Sequence, residues 1–160
     1  MDQNLTERLN ALTRIAVAIE RDTGLPARVL IAQWAIESRW GAKPTGASNY
    51  FGIKKAARHE KCCTVLTREV INGKSTMQRL EFADYASLEE SCRDYAWLIT
   101  HGSPYAAAWQ QYQQDRDVSK FIQRIAKVYA TDPQYARLVA TISNQSNVTA
   151  AIENARAVSS

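Results

Sequence analysis

The sequence predicts a mainly helical α+β fold: a helical domain with one small β-hairpin lobe. Three observations carry this expectation. Apolar residues recur at helical spacing in successive segments, one β-branched run precedes the turn pair Asn72-Gly73, and glycine, proline and capping residues fall between the periodic stretches. At 160 residues the chain is long enough to bury its own core as a single domain.

Leu5, Leu9, Leu12, Ala16 and Ile19 mark a first helix, closed by Gly24 and Pro26. From Pro26 to about Trp40, Leu30, Ile31, Trp34, Ala35 and Ile36 cover so much of a helix surface that this second helix should be buried and central. Gly41, Pro44, Gly46 and Asn49 break the periodicity, and Asn49-Tyr50-Phe51-Gly52-Ile53-Lys54 reads as an ordered aromatic loop. Thr64 to Ile71 is a strand candidate, Asn72-Gly73 a type I′ turn, and Ser75 to Phe82 the returning strand. Ser87 and Glu90 form a capping box ahead of Leu88, Cys92, Tyr95 and Ile99, with an end by Gly102. Ser103-Pro104 offers an N-cap and first-turn proline for a short helix through Trp109, Asp117 starts a helix carrying Val118, Phe121, Ile122, Ile125 and Tyr129, and Asp132-Pro133 starts another. The domain is expected to span residues 1–142; in 143–160 the composition turns polar, and Val148, Ile152 and Ala155 support at most one weak helix in a loosely attached tail.

Hydrophobic residues at 46% and charged residues at 22% favour neither disorder nor a fibre. The net charge of +4 favours an anionic polymer as partner, but the basic residues are scattered, which argues against nucleic acid. No stretch approaches the length of a membrane span and Met1 to Arg8 lacks a signal peptide's character, so no membrane insertion is expected, and synthesis in a bacterial cytoplasm is. Cys92 falls on an apolar stripe, as a small core residue does, with a bridge to Cys62 or Cys63 as the alternative. His59 with Cys62 and Cys63 lacks a fourth ligand, so neither metal nor cofactor is expected. A Cys-His hydrolase using Cys62 or Cys63 with His59 or His101 as base ranks low, because no family motif surrounds these residues.

Glu37 lies on the otherwise apolar second helix, three residues after Trp34 and seven after Leu30. A carboxyl group lodged there is desolvated, which penalises its charged form and suits it to act as a general acid. The structural alternative is an ion pair with Arg39 or Lys43.

The segment Ala32-Gln33-Trp34-Ala35-Ile36-Glu37-Ser38-Arg39-Trp40-Gly41, followed by Asn49-Tyr50-Phe51-Gly52-Ile53-Lys54, resembles the bacterial β-N-acetylglucosaminidases of glycoside hydrolase family 73. Phe82 to Leu98 and Tyr129-Ala130-Thr131-Asp132-Pro133-Gln134-Tyr135-Ala136 extend the likeness in the family's order, so that it spans about Leu25 to Leu138. The resemblance implies a lysozyme-like fold whose hairpin lobe flanks a saccharide groove, and a reaction on peptidoglycan glycan strands between N-acetylglucosamine and N-acetylmuramic acid. It implies Glu37 as the acid, Glu69 as a distant carboxylate able to activate water, and Tyr129 as a hydroxyl holding the acetamide or a water. Attack by the substrate's own acetamide is the other route, without Glu69. For Glu69 the structural alternative is a strand residue paired with Lys74 or Arg68, and for Tyr129 it is core packing. Trp40, Asn49, Tyr50, Phe51, Trp109 and Tyr135 are the substrate-binding candidates, with core packing, the commoner fate of a large aromatic, as the alternative for Trp40, Tyr50, Phe51 and Trp109.

As a bare catalytic domain the chain would act as a monomer on the periplasm or cell wall, as a phage lysin or as an antibacterial toxin injected by type VI secretion. In the toxin case an immunity protein would plug the groove. The competing expectations are a muramidase or lytic transglycosylase on the same fold, and a non-catalytic glycan- or partner-binding module.

Overall fold

The computed structural model describes residues 2–159. The elements run α1 (Gln3–Thr23), α2 (Ala27–Ser38), β1 (Cys62–Ile71), β2 (Lys74–Ala83), α3 (Leu88–His101), a 3-10 turn (Ser103–Tyr105), α4 (Ala106–Asp115), α5 (Val118–Tyr129), α6 (Pro133–Ser143) and α7 (Ser146–Ser159). The mainly helical expectation with a single hairpin holds.

Helix ends follow the capping residues. Gly24 closes α1 in the left-handed region, at φ 84°, and donates its N–H to the Glu20 carbonyl. Ser87, Asp117 and Asp132 each accept a backbone N–H at the start of α3, α5 and α6. Glu90 reaches back to the Ala86 N–H at 3.0 Å, one residue beyond the expected reciprocal bond to Ser87. Ser103-Pro104 forms only a 3-10 turn, and the helix after it runs past Trp109 to Asp115. The alanine and glutamine content of 106–114 favours helix and holds no breaker, so the end comes only where Arg116 turns left-handed, at φ 54°.

Helix α2 is central. Val29, Leu30, Ile31 and Ala32 are fully buried, and α1, α3, α6 and α7 all pack against it. Burial of each large aliphatic side chain stabilises the fold by roughly 1.5–3 kcal/mol. No charged group other than Glu37 lies on it beyond its first turn, where Arg28 reaches the Ser143 carbonyl at 2.7 Å.

The C-terminal segment differs from the loose tail expected. Val148, Ala151, Ile152 and Ala155 are buried against α1 and α2, and Arg156 pairs with Glu20 at 2.7 Å. Ala151 supplies the position that completes an i, i+3, i+4, i+7 stripe, so the face is wider than Val148, Ile152 and Ala155 alone suggested.

The hairpin is antiparallel with Cys62 opposite Ala83 and Ile71 opposite Lys74, and Asn72 and Gly73 take φ 51° and 77° as a type I′ turn requires. Its root is sewn to the loop before it: Lys55 N–H donates to the Glu81 carbonyl, Ala83 N–H to Ile53 and Asp84 N–H to Lys61, each within 3.1 Å. The three cysteines are free thiols, with Cys92 fully buried in the core, so the alternative bridge does not form. No helix among the described residues is long and apolar enough to cross a membrane.

Candidate active site

Glu37 sits in the last turn of α2, and its surroundings come from elements distant in sequence. Tyr135, from the first turn of α6, donates its hydroxyl proton to Glu37 Oε1 at 2.8 Å. The ionisable groups that bear on the carboxyl are the tyrosines Tyr95, Tyr105, Tyr129 and Tyr135, and no cation pairs with it among the described residues. Neither Arg39 nor Lys43 supplies the ion pair of the alternative reading. Burial raises the Glu37 pKa above the usual carboxylate range, and the Tyr135 hydrogen bond opposes this only in part. Its place in the last helical turn, where backbone carbonyls point outward, disfavours the anion as well. Tyrosines from four elements therefore bear on the carboxyl, while the Trp34 ring lies against Gly41 and meets Trp40 edge-on at 6.1 Å.

The chain leaves α2 through three successive left-handed residues, Arg39, Trp40 and Gly41, at φ 51°, 56° and 80°. Ser38 holds this turn, donating its hydroxyl proton to the Trp34 carbonyl and accepting the Gly41 N–H. Loop 49–54 then passes over the carboxylate. Gly52, at φ 65°, stands so close that a Cβ there would lie 3.0 Å from Glu37 Oε2, so a side chain would cover the oxygen that Tyr135 leaves free.

This loop is organised by Asn49, which is buried with every polar atom in use. Its amide donates to the carbonyls of Ile53 and Ala83, and its carbonyl accepts the N–H groups of Phe51 and Ile53. The Phe51 ring is fully buried and stacks on Tyr95 at 4.4 Å. Asn49 and Phe51 are therefore builders of the loop rather than sugar contacts, a correction to the sequence expectation. Tyr50 is half-buried, with its N–H on the Ser91 hydroxyl. Trp40 packs on Trp34, and its carbonyl accepts from Arg8. Trp109 is corrected outright: its ring sits against Gly24, Tyr112 and Phe121 at the opposite end of α2, roughly 18 Å of helix from Glu37.

Tyr129 closes the other wall. Its hydroxyl donates to the Phe51 carbonyl, and its ring lies parallel to that of Tyr135 with centroids 6.1 Å apart. With its one proton engaged, Tyr129 can still accept from a sugar acetamide N–H but has no proton to offer a carbonyl or a water. Asp94 secures the segment beneath, taking bonds from Arg58, His59 and Tyr85 within 3.2 Å. The tyrosine and aspartate of the Phe82–Leu98 motif, Tyr85 and Asp94, thus tie α3 to the hairpin root, while Ser91 holds the Tyr50 N–H of the loop. His59 faces Asp94 and the Ala56 N–H, not the cysteines.

Glu69 stands in the strand β1, on the half-buried face with Cys63, Val65 and Thr67. Its side-chain contact is with the Thr67 hydroxyl at 3.5 Å, and neither Lys74 nor Arg68 pairs with it; Arg68 bonds Ser75 instead.

A cleft of about 380 Å³ opens beside Gly52, lined by Ile53, Lys54, Leu98, Tyr105 and Tyr129. A roomier one, about 440 Å³, runs between α5 and α6 past Ala126, Ala130, Pro133 and Ala136; it shares no residue with the surroundings of Glu37 and holds no buried carboxyl. The site is therefore placed at Glu37. Sequence reasoning missed Gln33, Tyr95, Tyr105 and Gly52 as parts of it. Only Gln33 had a readable signal, a polar residue four positions before Glu37 on an apolar helix.

One carboxyl biased toward its protonated form, close to an open cleft beside Gly52, is the equipment for protonating a glycosidic oxygen. Comparison with known proteins agrees. Residues 13–148 match the glucosaminidase family, described as mannosyl-glycoprotein endo-beta-N-acetylglucosaminidase. The peptidoglycan hydrolase FlgJ of Pseudomonas aeruginosa is 36% identical over 129 residues, covering 76% of this chain and 32% of its own length. FlgJ of Salmonella typhimurium is 31% identical over 145 residues, 86% of this chain and 44% of its own. The chain thus spans less than half the length of these relatives. Among solved structures, the catalytic domain of the autolysin Auto from Listeria monocytogenes superposes with a TM-score of 0.78 at 27% identity, over 94% of this chain and 89% of that one. A peptidoglycan hydrolase mutant from Sphingomonas sp. A1 gives 0.75 at 27%, over 93% and 99%.

Proposed function

The chain belongs to the glucosaminidase family, glycoside hydrolase family 73, and on that footing we propose that it hydrolyses the β-1,4 bond between N-acetylglucosamine and N-acetylmuramic acid in peptidoglycan. The observation that carries this reading is the buried Glu37 carboxyl, its pKa raised by burial, with its free oxygen against Gly52 at the edge of a cleft. In this reaction Glu37 protonates the departing oxygen while the bond to the anomeric carbon breaks through an oxocarbenium-like state. Glu69 stands in reserve on the hairpin to deprotonate a water attacking the opposite face, and water then completes the sugar with inversion. The net charge of +4 suits the anionic wall.

In the cell, the reading extends to action on the wall or periplasm, as a lysin or as an antibacterial toxin whose immunity protein would have to cover the cleft beside Gly52. The test of the core proposal is mass spectrometry of reducing ends from purified peptidoglycan, alongside Glu37→Gln. Reduced N-acetylglucosamine ends that fall by a factor of about 10³ in the variant are the expected result. Reduced N-acetylmuramic acid ends would make it a muramidase, anhydro ends a lytic transglycosylase, and no new ends from either protein a binding module.

A further inference from the structure

The hydrogen bonds behind Glu37 run in one direction. Tyr95, on α3, donates its hydroxyl proton to the Gln33 Oε1; the Gln33 amide donates Nε2–H to the Tyr135 oxygen at 3.1 Å; and Tyr135 donates to Glu37 Oε1 at 2.8 Å. Gln33 and Tyr95 are wholly buried, so neither end of the amide has water as a substitute partner. A phenol has a single proton, and once its oxygen receives the Gln33 N–H that proton is directed at Glu37.

We propose that Gln33 is a positioning residue that fixes the polarity of this relay, so that Glu37 carries its acidic proton on Oε2, the oxygen facing Gly52, and never on Oε1. The inference rests on Glu37 being the acid. Its reason is one of competition: a protonated carboxyl beside a phenol has two arrangements, with the proton shared toward the phenol or presented outward. Only the outward one can reach a glycosidic oxygen. Gln33 removes the inward arrangement by filling the phenol's acceptor site from behind. The groups facing Glu37 are Tyr95 on α3, Tyr105 in the 3-10 turn, Tyr129 on α5 and Tyr135 on α6, and none of them is a cation that would hold the proton away from Oε1 in another way.

The test compares pH–kcat profiles of wild type, Gln33→Met, Tyr95→Phe and Glu37→Gln on purified peptidoglycan, with the folded fraction of each set by circular dichroism. Gln33→Met keeps the volume and deletes both amide groups, leaving the Tyr135 oxygen free to accept from Oε1–H. The neutral acid gains an unproductive partner. The basic limb of the profile therefore moves to higher pH while the plateau falls by roughly tenfold. Tyr95→Phe retains the amide but frees it to flip, and shifts both features the same way by less. A role confined to packing would lower stability and leave the limb where it was, so a wild-type limb in folded Gln33→Met overturns the inference. So does a wild-type plateau. Should Glu37→Gln retain the wild-type rate, the fault lies with Glu37 as the acid; if it is inactive while Gln33→Met behaves as wild type, only the relay is wrong.

Discussion

The two carboxylates stand on regions built in opposite ways. Glu37 lies on a helix packed against four others, bonded by Tyr135 and walled by tyrosines. Glu69 lies on a two-stranded ribbon that is sewn to the body only at its root and bears Leu66, Val70 and Met77 exposed at 59%, 73% and 56% on its outer face. An acid must have its pKa set, which requires fixed, desolvating neighbours. A group that activates water must admit water and must not block the sugar's entry. Rigidity at Glu37 and openness at Glu69 suit the separate roles proposed for them.

The largest effect that tests this division is at the open end. Glu69→Gln is expected to lower kcat by about a hundredfold or more with no change in thermal midpoint, since the carboxylate's one hydrogen bond among the described residues is the long one from Thr67 at 3.5 Å. A rate within a few fold of wild type would transfer the second role to the substrate's acetamide and leave the hairpin as a wall of the groove.

A matched pair of glycines sharpens the contrast. Gly52 and Gly73 have similar left-handed φ values, 65° and 77°, so alanine costs about 1–2 kcal/mol of backbone strain at either. Around Gly73 there is nothing within 4 Å, whereas at Gly52 the new methyl meets Glu37 Oε2 at 3.0 Å. Gly52→Ala is thus expected to lose roughly tenfold in kcat and Gly73→Ala almost nothing, at comparable losses in urea midpoint. Equal activities would mean that Oε2 is not the oxygen in use.

The same division governs what could be read in advance. The helices and the hairpin were legible because their signals are local: Gly24, Ser87, Asp117, Asp132 and the Asn72-Gly73 turn act within a few residues of themselves. Glu37 was legible as a charge on an apolar helix. Tyr129 and Tyr135 were reached through the family motif, but its other tyrosine neighbours, Tyr95 and Tyr105, were not, because they come from further elements and no periodicity links them to it. Asn49 and Phe51 illustrate the opposite error: an aromatic loop near an acid looks the same in sequence whether its rings line the groove or anchor the loop, and only their burial decides. The attachment of α7 hinged on one alanine.

The smallest expected effect concerns stability, and it bears on why the acid is kept where it is. In the unfolded chain Glu37 titrates near the ordinary value of about 4.3, while burial raises it in the folded protein. Below the lower value both states hold the proton and the carboxyl adds no pH dependence. As pH rises the unfolded chain gives up its proton first, so folding stability falls until the folded-state pKa is passed. Gln at this position keeps an acceptor for Tyr135 without any charge to bury. Glu37→Gln should therefore match the wild type in urea midpoint at about pH 3.5, below the unfolded-state value, and exceed it at about pH 7, a gain in stability coupled to the loss of activity. Coincident midpoints at both pH values would mean that the carboxyl is as well solvated in the fold as out of it, and the tyrosine wall would then have no part in making Glu37 an acid.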